Sequence, residues 1–268
     1  MKKKIAKLLT KIFSINFLQF LLLNILKKYE KKVFKRITAN NNKILYGPFK
    51  NLIIPKNIPF LNLHYLLGTY EYWLQKIIIN CVKKKKKIIQ IGCASGYYTN
   101  GLAFVNKNLK AFGFDISKKH INYAVEIAKT NNLINTKYLL VKKKYDYSNF
   151  DFENSFLIID IEGGEYEICN IKLIQKLSTC TILLELHNTN LINLENGKKE
   201  LIKKFSRSHN YKIIDEEHKL FLFPKLIKYF DFLGSFGQLI LQIERKTYNQ
   251  KWLLLIPHKK YFRITDQK

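Results

Sequence analysis

From Ile88 onward, short apolar runs alternate with segments of helical character, and this alternation limits the fold more than any other feature of the chain. Runs such as Phe156–Ile161 and Thr181–His187 are almost uninterrupted by polar residues, as in strands that are covered on both faces. Strands that alternate with helices form a mostly parallel sheet with right-handed crossovers. The pattern therefore predicts an α/β fold with a doubly wound, mostly parallel, seven-stranded sheet.

The individual elements are predicted from apolar periodicity, prolines and helix-capping residues. The candidate strands are Ile88–Gly92, Lys110–Asp115, Tyr138–Val141, Phe156–Ile161, Thr181–His187, Tyr211–Ile214, Gln238–Glu244 and Leu253–Ile256. The candidate helices are Leu66–Val82, Tyr97–Asn106, Ser117–Thr130, Glu165–Leu177 and Gly197–Ser208. Because no helix separates the last two strands, they are predicted to form an antiparallel pair at one edge of the sheet.

The N-terminal segment is rich in lysine, and residues 1–65 are predicted to form a helical extension and linker before a domain over residues 66–268. An amphipathic basic helix at the start predicts peripheral contact of residues 1–32 with an anionic membrane, or docking on the protein's own domain; both interpretations stay open. The apolar stretch within it is shorter than the ~20 residues of a spanning helix. It also lacks a small-residue cleavage site, so no cleaved signal peptide is predicted.

The formal net charge of +27 indicates either a polyanionic partner or a lysine-rich coding bias. Nearly all of the positive charge is lysine, whereas arginine is the better reader of phosphates and bases, so coding bias is favoured and nucleic acid is not predicted as a partner. The four cysteines have no zinc-finger spacing, and three lie in apolar stretches. They indicate reduced core residues of a cytoplasmic protein. Residues 1–32 are the candidate contact to the inner face of the membrane.

Two features near the first strands indicate a ligand that contains an adenosine. The first strand runs into a turn with Gly92 and Gly96, which let the backbone bend tightly and approach a ligand. The helix that follows offers its N–H groups to an anionic group. Asp115 ends the second strand about 20 residues later, where an acid can accept both ribose hydroxyls or cap the next helix.

Acidic residues follow the fourth strand, and a histidine follows the fifth. Asp160, Glu162 and Glu165 surround a Gly-Gly turn, and carboxylates beside apolar surface are costly unless they bind something. Their candidate partners are a ligand ammonium, a metal or a substrate hydroxyl. For the two glutamates, charge placement at a helix N-terminus is the alternative. His187 could be a general base or a structural histidine.

The order of these motifs resembles the FkbM-type methyltransferase family. The resemblance is carried by the glycine turn, the acid after the second strand, the element Asp-Ile-Glu-Gly-Gly-Glu from Asp160, and Glu-Leu-His ending at His187. The segment Leu67-Gly-Thr-Tyr-Glu71 also resembles the family's lead-in to the first strand. The resemblance covers about residues 66–257, and its most specific element is Asp-x-Glu-Gly-x-Glu.

The resemblance implies a Rossmann-like fold, S-adenosylmethionine as cofactor, and O-methylation of a sugar or other small-molecule hydroxyl, which suggests a cell-surface glycan pathway. It predicts cofactor-binding residues Gln90, Gly92, Cys93, Gly96, Tyr97, Asp115, Ile116 and Asp160. It predicts His187, Glu162 and Asp160 at the reaction centre. No metal ligand is predicted, although the acids could hold a divalent metal ion.

The sequence departs from this family at Gln90, where the family usually has an acid near the end of the first strand. This leaves open a methyltransferase-like protein that binds its ligand without turnover. A third interpretation is an RNA methyltransferase, suggested by the charge. Against it, the chain has no Asn-Pro-Pro-Tyr-like motif for a flipped base and no RNA-recognition signature.

Overall fold

The computed structural model describes residues 34, 35, 37, 42–56, 58, 63–142, 147, 150–190, 192–215 and 250–258. The chain divides into two compact units, residues 1–72 with 218–248 and residues 73–217 with 249–268. The predicted amphipathic helix within residues 1–32 lies outside the described residues, so it stays a prediction. Within the described part, no helix is both long enough and apolar enough to cross a membrane.

In the unit of residues 73–217 and 249–268, the described strands form one seven-stranded sheet in the order β3-β2-β1-β4-β5-β7-β6. The strands are β1 (Lys87–Ile91), β2 (Lys110–Asp115), β3 (Thr136–Leu140), β4 (Phe156–Ile159), β5 (Thr181–Leu186), β6 (His209–Asp215) and β7 (Lys251–Pro257). The neighbours from β3 to β5 pair in parallel, and β7 is antiparallel to both β5 and β6. The predicted Rossmann-like, mostly parallel α/β fold is confirmed.

The sheet ends in an antiparallel pair at one edge, as predicted, and the described strands of that pair are β6 and β7. Strand β7 lies inside the sheet, between β5 and β6, and β6 forms the edge. This order fits the burial of the two strands: the run Trp252 to Leu255 of β7 is buried, as in an inner strand covered on both faces, whereas β6 is largely exposed. The other predicted member of the pair, Gln238–Glu244, lies outside the described residues.

The helices follow one another along the chain in the expected order, and the start of α4 was predicted correctly. The helices are α1 (Leu63–Leu67), α2 (Tyr72–Val82), α3 (Tyr97–Val105), α4 (Lys118–Thr130), α5 (Glu165–Ile168), α6 (Ile171–Lys176) and α7 (Leu194–Phe205). Ser117 caps α4 by accepting a hydrogen bond from the backbone N–H of His120. Helix α7 begins three residues before its predicted start because Asn193 caps it.

Two segments that were predicted as single helices are broken. The prediction of one helix over Glu165–Leu177 was wrong because Asn170 caps a new helix, its side chain accepting from Leu173 N–H. The prediction of one helix over Leu66–Val82 was wrong because the chain turns at Gly68, where φ is +75°. A Cβ at Gly68 would lie 1.9 Å from the carbonyl oxygen of Tyr46, so only glycine fits there.

The core around the sheet contains the central strands, three cysteines and two large aromatic side chains. The side chains of β4 and β5 are buried along both strands. All four cysteines are unpaired thiols, and three of them are buried, as predicted for core residues. The aromatic side chains of Tyr147 and Trp252 are also buried in the core.

His209, the first residue of β6, is expected to make stability depend on pH. Its ring lies 2.8 Å from the Ser208 hydroxyl and 2.9 Å from the Cys180 carbonyl oxygen. Burial lowers the pKa of His209 to about 4, and the nearby His258 contributes to this shift, whereas the hydrogen bond to the Cys180 carbonyl opposes it. In the unfolded chain the pKa is about 6.5, so the unfolded state binds the proton first as pH falls, and the stabilisation is lost between these two values.

Chemical unfolding of the wild-type protein at pH 7 and pH 5 should therefore show a loss of about 2 kcal/mol from His209 alone. The variant His209→Gln lacks the titrating ring, so its loss between the same two pH values should be smaller by that amount. Equal losses in both proteins would show that folding does not lower the pKa of His209.

Candidate functional site

The predicted site loops meet at one edge of the sheet. They follow β1, β2, β4 and β5, four parallel strands that are adjacent in the order β2-β1-β4-β5. Because the carboxyl ends of parallel strands share one edge, the structure brings the glycine turn, Asp115, the acids after β4 and His187 to that edge. Ligands of open α/β sheets bind at this position.

The turn between β1 and α3 requires glycine at both of its predicted positions. Gly92 has φ +80°, and a Cβ there would lie 1.7 Å from the carbonyl oxygen of Asp160. Gly96 has φ +76°, and a Cβ there would lie 2.8 Å from the side-chain nitrogen of Asn100. Gly96 is also the N-cap of α3 and provides no side chain to cap that helix. The helix start is thus arranged for an external acceptor.

Gln90 and Cys93 have side chains that face the protein interior. Gln90 is buried, and its side-chain oxygen accepts a hydrogen bond from the Thr99 hydroxyl at 2.7 Å. It thereby ties β1 to α3 behind the glycine turn. Cys93 is also buried, and burial raises the pKa of its thiol, which keeps it protonated. The side chains of Gln90 and Cys93 therefore both lie on the interior side of the glycine turn.

Asp115 supports the glycine turn directly. One carboxylate oxygen accepts from Ala94 N–H at 2.9 Å, and the other accepts from Ser117 N–H at 2.8 Å. His120 lies 3.2 Å from the second oxygen. Each carboxylate oxygen has two lone pairs, so the group retains the capacity to accept hydroxyl hydrogen bonds.

The surroundings of Asp115 fit the adenosine part of S-adenosylmethionine. Ile116, the next residue, is 81% exposed and presents an apolar surface that could cover a base. Tyr97 begins α3, with its ring packed edge-on against Tyr98 at 5.4 Å. A carboxylate that can accept ribose hydroxyls, beside a glycine turn, is typical of adenosine sites in this fold.

Glu165 fixes His187 from the side of α5. Its side chain is fully buried, and one oxygen accepts from Gly163 N–H at 2.9 Å. The other oxygen accepts from His187 N–H at 3.1 Å and lies 3.0 Å from Nδ1 of the same residue. The Tyr166 hydroxyl donates to the His187 carbonyl at 2.7 Å. Backbone and ring of His187 are therefore both held in place.

The other ring nitrogen of His187 faces three carboxylates. Nε2 lies 3.8 Å from Asp160, 3.5 Å from Glu162 and 3.6 Å from Glu185. These distances exceed those of hydrogen bonds, and Nε2 has no hydrogen bond to any residue that the structure describes. Burial lowers the pKa of His187, but the hydrogen bond and charge of Glu165, together with Asp160 and Glu162, raise it above its ordinary value. The ring can therefore take up a proton at Nε2.

Three residues of this cluster could also hold a cation. Asp160, Glu185 and His187 each offer one ligand atom, and these atoms all lie within 4.8 Å of one another. Carboxylate oxygen and imidazole nitrogen together suit divalent transition metals. Glu185 is buried in β5, and the side-chain amide of Gln250 donates a hydrogen bond to it.

The predicted site residues lie at or near the carboxyl ends of β1, β2, β4 and β5, but several of their partners were not predicted. Glu165 was recognised as an acid of the site by its spacing, but its contact with His187 was not. Gln250 gave no signal because it lies 65 residues from Glu185. Tyr166 and Thr99 gave none because a single tyrosine or threonine in a helix has no distinguishing pattern.

Comparison with protein families finds one match in this chain. Residues 82–160 match the family model described as a methyltransferase domain, a span that includes the glycine turn, Asp115 and Asp160. A comparison with curated proteins found no match.

Among solved structures, precorrin-6y C5,15-methyltransferase from Geobacter metallireducens is 11% identical, with 67% of this chain and 85% of that chain covered and a TM-score of 0.46. A SAM-dependent methyltransferase from Aquifex aeolicus is 12% identical, with 68% and 88% covered and a TM-score of 0.43. TYW2 of M. jannaschii in complex with AdoMet is 12% identical, with 70% and 75% covered and a TM-score of 0.43. Similarities this low identify no substrate.

Proposed function

We propose that the chain is an S-adenosylmethionine-dependent methyltransferase that O-methylates a sugar or another small-molecule hydroxyl, as a member of the FkbM-type family. The match of residues 82–160 to a methyltransferase-domain model supports this proposal. The single observation that carries the proposal is the position of His187. Its Nδ1 is held by a buried carboxylate, while its Nε2 has no hydrogen bond from the described residues, at the edge where the glycine turn and Asp115 also lie.

The cofactor would be held by residues of three loops. Asp115 would accept the ribose hydroxyls, Ile116 would cover the base, and the turn from Gly92 to Gly96 would receive the amino-acid part at the start of α3. Asp160, which follows β4, would close this pocket on the side of the ammonium group. The closeness of Gly92 to the Asp160 carbonyl supports this, because it places the two loops in contact.

The protein's own contribution to the reaction is alignment and proton removal. When bound, S-adenosylmethionine supplies an activated sulfonium methyl group, so an acceptor oxygen has to be aligned behind that carbon and to lose its proton. His187 takes this proton at Nε2 as the oxygen–carbon bond forms and the carbon–sulfur bond breaks. Asp160 and Glu162 lie within 3.8 Å of Nε2 and stabilise the imidazolium that results.

The acceptor and the location are part of the same proposal. A hydroxyl of a glycan precursor suits an acid-rich site, since carboxylates accept hydrogen bonds from neighbouring hydroxyls. The lysine-rich segment 1–32 supports peripheral contact with the anionic inner face of the membrane. The buried, unpaired thiols are in keeping with a cytoplasmic location.

Transfer of tritium-labelled methyl groups tests the proposal. In three separate reactions, the purified protein and labelled S-adenosylmethionine are incubated with cell-envelope fractions, with small-molecule extracts or with total RNA. We expect label in the envelope or small-molecule fraction and none in RNA. Label in RNA alone would overturn the choice of acceptor. Cofactor binding by titration calorimetry, without transfer to any fraction, would support a methyltransferase-like binding protein instead.

A further inference from the structure

We propose that Glu165 is a positioning residue that keeps the hydrogen of the neutral His187 ring on Nδ1 and so leaves Nε2 as the proton-accepting nitrogen. The importance of this for turnover rests on the proposed function, but the arrangement itself does not. In the sequence, Glu165 is recognisable only as one of three acids around a turn or as a charge at a helix start. The structure gives it a separate task.

The carboxylate of Glu165 is held in one orientation. Its side chain is 0% exposed, and its two oxygens are directed by backbone N–H groups on different segments. One oxygen accepts from Gly163 in the turn after β4, and the other accepts from His187 at the end of β5. The carboxylate therefore joins the two loops and has a fixed orientation towards the ring.

The contact with Glu165 determines which ring nitrogen of His187 carries the hydrogen. A neutral imidazole has one donor nitrogen and one acceptor nitrogen, and an ionised carboxylate can only accept. Nδ1 lies 3.0 Å from Glu165, within hydrogen-bond distance. The hydrogen that suits this contact is on Nδ1, because a lone pair there would face the carboxylate oxygen. The partner of one ring nitrogen thus determines the role of the other.

No other described group competes strongly with Glu165 for the hydrogen of the His187 ring. The charged groups that face Nε2 are Asp160 and Glu162 from the loop after β4 and Glu185 from β5. Their oxygens lie 3.5 to 3.8 Å away, which is longer than a hydrogen bond. Glu165 is therefore the acceptor with the better geometry, and the ring keeps its basic lone pair on the side of the three carboxylates.

The experiment is a determination of the His187 tautomer by NMR, and it requires no substrate. The protein is labelled with ¹⁵N in its histidines, of which the chain has six. Long-range correlations from the carbon-bound ring protons then show which nitrogen carries the hydrogen. The spectrum is recorded near pH 9, where imidazoles are neutral. The His187 signals are those missing from His187→Gln. We expect hydrogen on Nδ1 in the wild-type protein.

A wild-type His187 with its hydrogen on Nε2 would overturn the proposal, whether or not methyl transfer is observed. Conversely, hydrogen on Nδ1 in a protein that transfers no methyl group would uphold the assignment of Glu165 and contradict the proposed function. The two failures are thus separate. The wild-type spectrum also decides the question if a variant does not fold.

Variants at position 165 give the second readout. A glutamine offers one acceptor and one donor, so in Glu165→Gln it cannot accept from both Gly163 and His187, and the His187 hydrogen should move in part to Nε2. We expect kcat to fall on the order of 10²-fold while the dissociation constant of S-adenosylmethionine stays within about twofold. The matched control is Glu167→Gln, an exposed glutamate of the same helix, which should change neither. An unchanged tautomer in Glu165→Gln would show that Glu165 does not determine it.

Discussion

Replacement of His187 by glutamine is expected to lower kcat for methyl transfer by about 10²–10⁴-fold, the usual contribution of a general base. The variant keeps a side chain of similar length that can hydrogen-bond to Glu165, but it has no basic nitrogen at the position of Nε2. Cofactor binding should change little, because the predicted adenosine contacts lie on the loops after β1 and β2. Single-turnover rates and titration calorimetry measure the two quantities separately.

The pH dependence of the same reaction gives a further check on His187. Only the unprotonated ring can take the hydroxyl proton, and the carboxylates around it raise its pKa above the ordinary value. The wild-type kcat/KM should therefore rise with pH through a midpoint above about 6.5, and this limb should be absent from His187→Gln. The control is His258→Gln, a histidine outside the site, which should retain both rate and limb. A His187→Gln enzyme with the wild-type rate would exclude His187 as the base.

Replacement of Asp115 by alanine is expected to weaken S-adenosylmethionine binding by about 10²-fold or more, since hydrogen bonds to a charged group contribute about 1.5–3 kcal/mol each. The variant loses the acceptor for the ribose hydroxyls. It also loses the acceptor for Ala94 N–H, so the glycine turn is held less firmly. The dissociation constant is measured by titration calorimetry.

Two further variants make the Asp115 measurement specific. Asp115→Asn keeps one acceptor oxygen, so its binding should be intermediate between the alanine variant and the wild type. Asp215→Asn removes a carboxylate that is 67% exposed at the end of the edge strand, and its binding should equal that of the wild type. Tight binding by a folded Asp115→Ala protein would remove Asp115 from the cofactor site.

The sequence predicted the sheet and the site edge because both depend on local signals. Continuous apolar runs identify strands buried on both faces, and glycines and acids at strand ends identify the edge where ligands bind. The helix breaks at Gly68 and Asn170 were missed because a single glycine or asparagine within an apolar pattern does not require a break; neighbouring structure decides. At Gly68 that neighbour is the carbonyl of Tyr46, 22 residues earlier in the chain.

The contacts of the site could not be predicted for the same reason. Glu165 and His187 are 22 residues apart, and they meet only because β4 and β5 pair in parallel with Ile159 opposite Leu184. Sequence alone placed them at the same edge but gave no register. The partner of Glu185 is more distant still, since Gln250 precedes a strand that inserts between β5 and β6.

The contact between Gly92 and the Asp160 carbonyl has a consequence for how this site can be altered. A substitution at Gly92 would displace the backbone of Asp160, so a change to the glycine turn also changes the loop after β4. In the proposed reaction, cofactor binding and proton removal are therefore not structurally independent. Grafting only one of these loops from another protein would leave a mismatch at this point, and diversification of the acceptor preference has to come from segments that do not touch it.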